Sequence, residues 1–226
     1  NQLTTLDVSS NTLLQYLDCD NNQLTSLDVS SNTLLEGFDC RNNQLTSLNI
    51  GSKDNLLYLR CENNLLTGLD LSSVTTFPVA LEAQNNLMTY LYLPSPTNSF
   101  YEAKYIDFRN NQLDSINFST IDTLIIYEIY LTNNNFQNLD LTNVYFNNLY
   151  CDSNQLTSLD LRNGANIEVP NTNFYGYIYQ IHAYGNPDLY CVSVDDTAHS
   201  NANWTIANYF EFEQQVSFEL SCVLPS

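Results

Sequence analysis

Six cysteines, two histidines and 25 carboxylates are the groups of this chain able to do chemistry: thiolate or metal chemistry, proton transfer and cation binding. Their spacing decides among these. Cys19, Cys40 and Cys61 stand 21 residues apart, and Cys151 falls in the same phase, where other turns carry Ala83, Phe108, Leu131 and Ala183. A position that exchanges Cys with Ala and Leu is filled by a small apolar group. A metal site needs ligands converging from several directions, and a single column supplies only a line. His182 and His199 belong to no HExxH or GxSxG motif, and no glycine-rich phosphate loop occurs. The acidic residues have neither EF-hand spacing nor a glycine-aspartate nonapeptide. Stacked acidic columns leave calcium as the one ion the sequence admits. A glycosidase pair would need a cleft, which a flat wall does not provide. The expectation is a non-enzymatic protein with no cofactor and no metal.

Tyrosines and arginines share this phase. Tyr16, Tyr58, Tyr105, Tyr130, Tyr150 and Tyr184 are six of the sixteen tyrosines, and Arg41, Arg60 and Arg109 are three of the four arginines. With Asp18, Asp107 and His182 they form a candidate ligand-binding face. Tyr and Arg give large contact area with fixed hydrogen-bond geometry and dominate binding hot spots. The plain alternative is that Tyr suits strands and pairs with its neighbours, while Arg only relieves acidic repulsion.

The elements that position these residues follow from a nested repeat. Leu14 onward reads LQYLDCDNNQLTSLDVSSNTL, Leu35 onward LEGFDCRNNQLTSLNI and Leu56 onward LLYLRCENNLLTGLDL. Self-similarity at this period marks a solenoid. The half-repeat LxxLxCxxN places Leu17 and Cys19 inward on a short strand. The half-repeat LxxLDV (Leu24, Leu27, Val29) places a second strand on the opposite wall, with no room for a helix. First-wall strands run through Leu17, Phe38, Leu59, Leu81, Ile106, Ile129, Leu149 and Ile181. The second wall runs through Leu6, Leu27, Leu48, Leu69, Leu91, Ile116, Leu139, Leu159 and Val192, and repeats Asp or Asn outward. Extra residues at 71–79, 94–104 and 162–177 are expected to bulge from one edge, the last two bearing Phe100, Tyr101, Phe174, Tyr175 and Tyr177. A column of Asn22, Asn43, Asn64, Asn86, Asn111, Asn134, Asn154 and Asn186 is expected to satisfy inward backbone groups at the turn.

These motifs resemble leucine-rich repeats, LxxLxLxxN, and more narrowly the nested 21-residue class called IRREKO, common in bacterial proteins. The resemblance covers about residues 3–194. It implies a leucine-rich repeat solenoid of about eight thin, mostly β coils, with a parallel sheet on the first wall and short strands opposite. It also implies recognition rather than chemistry. Residues 195–226 resemble the C-terminal caps of secreted bacterial leucine-rich repeat proteins. On that resemblance a Cys191–Cys222 disulfide would staple a lid in which Trp204 and Phe210 cover Leu189 and Val192. A disulfide implies an oxidising compartment, hence a secreted or surface-attached protein.

Charge narrows the partners. Lys and Arg total 6 against 25 Asp and Glu, a net charge of −19. Duplex nucleic acid and anionic membranes are repelled by such a field. No apolar run is long enough to span a membrane. The chain opens in mid-repeat at Asn1-Gln2-Leu3, which reads as a precursor fragment lacking its N-terminal cap. Three functions are left: a protein-binding module, a neutral-glycan module using surface tyrosines as stacking platforms, and a spacer or adhesion stalk. A repeat encodes neither the ligand's identity nor the oligomeric state.

Overall fold

The computed structural model describes residues 1–94, 101–119, 124–164, 178–205 and 209–222. Phe100, Phe174, Tyr175 and Tyr177 lie outside them, as does the side chain of Tyr101. The chain winds as a leucine-rich solenoid. Its first wall is a nine-stranded parallel sheet. The inward residue of each strand pairs in register with the next: Leu17, Phe38, Leu59, Leu81, Ile106, Ile129, Leu149, Ile181 and Phe210. Eight of these rungs follow from the repeat. The ninth, Phe210–Glu211, comes from the segment without repeat spacing.

Most strands are three residues long because each coil offers one inward side chain between two turns. Tyr101–Asp107, Leu124–Tyr130 and Val144–Tyr150 are longer. The extra residues at 101–104 therefore do not all bulge. They extend the ladder, pairing Ala103 with Ile126 and Ile126 with Phe146. All three side chains are buried. Period-2 alternation in the insert drives this, since its apolar side chains land on the core face.

The second wall is broken into sheets of two, two and four strands. Leu6 and Ile116, expected on strands there, pack against the core without strand pairing. Its outward Asp column has a structural cause. Asp7, Asp28, Asp70, Asp140 and Asp160 each accept the backbone N–H two residues on, closing an Asx-turn in five of the coils.

Two asparagine columns hold the turn after the first wall. The buried one is the expected column, Asn22 to Asn186. Asn64 is typical: its Oδ1 accepts Leu45 N–H at 2.9 Å, and its Nδ2 donates to Cys40 and Cys61 carbonyls at 3.1 Å each. One side chain so closes its own turn and bonds the preceding coil. The residue before it is left-handed in every coil: Asn21, Asn42, Asn63, Asn85, Asn110, Asn133, Ser153 and Gly185, with φ between 52° and 77°. Asn tolerates this conformation and Gly prefers it. Lys53 stands where the preceding coil has Asn32. Fully buried, its ammonium donates to Val29, Ile50 and Ser52 carbonyls in the amide's place.

Residues 195–205 and 209–222 pack against the last coils. Asp196 caps the helix Thr197–Asn203 by accepting Ala198 and His199 N–H. Trp204 stacks on Phe210 at 5.3 Å and meets Phe218 edge-on at 5.4 Å. Trp204 and Phe210 belong to the buried cluster containing Leu189 and Val192, and Phe218 packs against it. Ser217–Glu219 adds a rung to the second wall, and Cys191 and Cys222 are disulfide-bonded.

Candidate functional site

Strand register places the outward residues of the first wall in three columns on one face. The first holds Tyr16, Gly37, Tyr58, Ala80 and Tyr105. The middle one runs Asp18, Asp39, Arg60, Glu82, Asp107, Tyr130, Tyr150, His182 and Glu211. Two residues further along each coil lies the third: Asp20, Arg41, Glu62, Gln84, Arg109, Thr132, Asp152, Tyr184 and Glu213. Nine strands about 4.8 Å apart make a wall on the order of 38 Å long. All twelve candidate residues lie on this face.

Much of their chemistry is directed at one another. Arg41 lies 3.4–3.8 Å from carboxylate oxygens of Asp20, Asp39 and Glu62. Arg60 bonds Glu82 at 2.8 Å, and the Tyr105 hydroxyl donates to the same oxygen at 2.7 Å. Arg109 grips Asp107, leaving that carboxylate only 4% exposed, and its guanidinium lies 4.7 Å from the Tyr130 ring centre. The rings then stack: Tyr130 on Tyr150 at 4.7 Å, and Tyr150 on His182 at 4.9 Å. His182 Nδ1 ends the run 3.2 Å from Glu211. Each stacked pair contributes about 0.5–1.5 kcal/mol, whereas exposed ion pairs contribute about 0–1 kcal/mol. The side chains of the wall are thus held largely by one another.

Three tyrosines face outward differently. Tyr16 is 64% exposed, donates to Glu36 and lays its ring over Gly37. A Cβ at Gly37 would fall 2.8 Å from that ring, so glycine makes the room. Tyr58 and Tyr184, 43% and 61% exposed, make no side-chain hydrogen bond or ring contact among the described residues.

Burial raises the carboxyls of Asp39, Glu62 and Asp152 above their ordinary range. Glu62 is the most hidden, with one oxygen lacking any hydrogen-bond partner. A carboxyl with a raised folded value stabilises below its unfolded value, 4.5 for Glu62, and loses that contribution as pH rises through the folded value. Asp7 and Asp28, lowered by hydrogen bonds from Ser9 and Ser30, behave oppositely: their contribution is lost as pH falls below 3.8. We predict that Glu62→Gln raises stability near pH 7 by on the order of 1 kcal/mol, because a desolvated carboxylate that has only a loose 3.8 Å contact with Arg41 becomes neutral. The gain should vanish near pH 4. Thermal melts of both proteins across pH 4–8 test this; equal curves at every pH would refute it.

The cysteine column is buried, and its thiols are pushed up by desolvation, Cys19 to about 12. These thiols stay protonated and unreactive. His199 contacts Asn203 one helical turn on. Among the described residues no group of three or more His, Cys, Asp or Glu is placed to hold a metal ion. No described helix is long and apolar enough to cross a membrane.

Repeat analysis overlooks two features. Glu211 and Glu213 extend the middle and outer columns, although no repeat spacing marks them. On the other side, Tyr90 and Tyr92 are exposed where other coils commonly carry Ser and Asp, and Leu65 and Leu87 are exposed in a column that is mostly Gln or Asn. Those departures from the repeat were the available signal.

No protein-family model matches the sequence, and no curated protein matches it. Among solved structures, the functional domain of InlJ from Listeria monocytogenes, which includes a cysteine ladder, aligns at 23% identity and TM-score 0.46 over 86% of this chain and 52% of that one. YopM, a leucine-rich effector protein from Yersinia pestis, aligns at 20% identity and TM-score 0.44 over 86% of this chain and 60% of that one. The chain thus spans between half and three-fifths of the structures it resembles.

Proposed function

We propose that the chain is a non-enzymatic recognition module that binds another protein through its first wall, at a bacterial cell surface or outside the cell. One observation carries this reading. Outward residues of the first wall change from coil to coil among Gly, Tyr, Arg, His and acids, whereas the opposite wall carries Asp or Asn in most coils, commonly closing a turn. A face serving only solubility has no reason to vary. Its ion pairs and stacks fix side chains in advance, which lowers the entropy lost on binding. The Cys191–Cys222 bond supports an oxidising location.

Neutral glycan binding is the second reading. It is weakened because stacking covers the ring faces of Tyr130 and Tyr150, which a sugar would need. Tyr16, Tyr58 and Tyr184 remain available to it. Calcium stays a proposal without a described cluster to hold it.

A photo-crosslinking amino acid at Tyr58 tests the assignment, with one at Ser47 on the opposite wall as control. Crosslinking to protein from the native surface is expected at the first position only, and Arg60→Ala should weaken it several-fold. Equal capture at both positions, or glycan rather than protein at Tyr58, would sink the assignment.

A further inference from the structure

The wall ends in a groove of about 610 Å³ lined by Tyr184, Glu211, Phe212, Glu213, Gln214 and Gln215. We propose that this groove receives an arginine side chain of the partner protein, an inference that rests on the protein-binding reading. The argument is one of shape and charge. Tyr184 offers a ring and hydroxyl with no partner among the described residues. Phe212, edge-on to Phe218 at 5.3 Å, gives an apolar side. Glu213 spends one oxygen on Gly185 N–H at 3.0 Å, and Glu211 contacts His182. Asp152, bonded to Tyr184 N–H, lies behind them.

No arginine of the chain neutralises this cluster. Arg41 and Arg60 pair with acids of the first four rungs, Arg109 holds Asp107 four rungs away, and Arg162 holds Asp160 on the opposite wall. A planar guanidinium stacks on an aromatic ring while forking to carboxylates, which ammonium does less well and a sugar hydroxyl does without charge. The chain already uses this motif once: Arg109 lies against Tyr130 while it grips Asp107. The groove presents the acceptor half of the same arrangement, with the cation missing.

The test is an NMR titration of the intact chain with N-acetyl-arginine amide, its neutral isostere N-acetyl-citrulline amide, N-acetyl-lysine amide and methyl glucoside. Saturable, salt-sensitive shifts at Tyr184, Gly185 and residues 211–215 are expected with the arginine probe, in roughly the millimolar range for so small a ligand. Glu213→Gln keeps an acceptor for Gly185 and should weaken binding about tenfold; Tyr184→Phe should preserve it and Tyr184→Ala should not. Equal binding of citrulline, shifts with the glucoside instead, or no shift with arginine would each overturn the proposal. Arginine binding here with unaltered crosslinking after Arg60→Ala would refute the broader wall and leave the groove standing. The reverse pattern would refute the groove alone.

Discussion

Replacing Asn64 by leucine should lower stability by about 2–4 kcal/mol. Its amide joins four backbone groups across two coils: Leu45 N–H and the Cys40, Cys61 and Glu62 carbonyls. Leucine has similar volume and no polar atom, so packing survives while the Leu45 N–H loses its partner and the Cys40 and Cys61 carbonyls keep one donor each, from Asn43 and Asn86. The stranded donor costs about 1–3 kcal/mol, and each hydrogen bond lost from a carbonyl that keeps another donor adds about 0.5–1 kcal/mol. Because a solenoid is held by nearest-neighbour contacts, the loss should split the array between adjacent coils rather than weaken it evenly. Gln44→Leu is the control, since Leu65 and Leu87 already occupy the same column in later coils; it should change stability by less than about 0.5 kcal/mol. Urea unfolding followed by circular dichroism measures both. A loss under about 1 kcal/mol for Asn64→Leu would mean water reaches the turn and the column is not a dry ladder.

The first wall was legible because a strand carrying one inward residue needs only a phase, and Leu17 to Ile181 keep that phase through every insertion. Phe210 was read as packing over Leu189 and Val192, but its place as a ninth rung was not legible, because the chain reaches that rung by way of a helix instead of a turn and its neighbours match no repeat position. The second wall was half legible. Its residues were placed, but ladder pairing of three-residue strands depends on small offsets between coils that spacing does not report, and Ile116 consequently packs without pairing. For the site, sequence gave which side chains share a face and missed what they do there. Arg109 could have reached acids on several rungs, and only coordinates show it turning onto Asp107 and Tyr130. Glu211 and Glu213 escaped notice for the same reason as Phe210.

Removing the Cys191–Cys222 bond should cost the cap end about 3–4 kcal/mol, from the entropy that a loop of this length regains in the unfolded chain. The bond spans 31 residues, and within that span lie the helix, the Trp204 lid and the ninth rung. The rung itself is only two residues long, held to Ile181 and His182 by a short ladder. Without the tie, its contacts must alone offset the ordering of the whole segment, which costs on the order of 1–2 kcal/mol per residue for the backbone. Opening should therefore occur from the cap, ahead of the middle coils. Trp204 is the only tryptophan and is 6% exposed, so its fluorescence reports the lid directly. In Cys191→Ser/Cys222→Ser the emission should shift to the red at a lower urea concentration than the circular dichroism transition; in the parent protein the two should coincide. The groove should go with the lid, since residues 211–215 form one side of it. Six reactive thiols in the denatured, unreduced parent, instead of four, would remove the bond and with it the reason for the lid's stability.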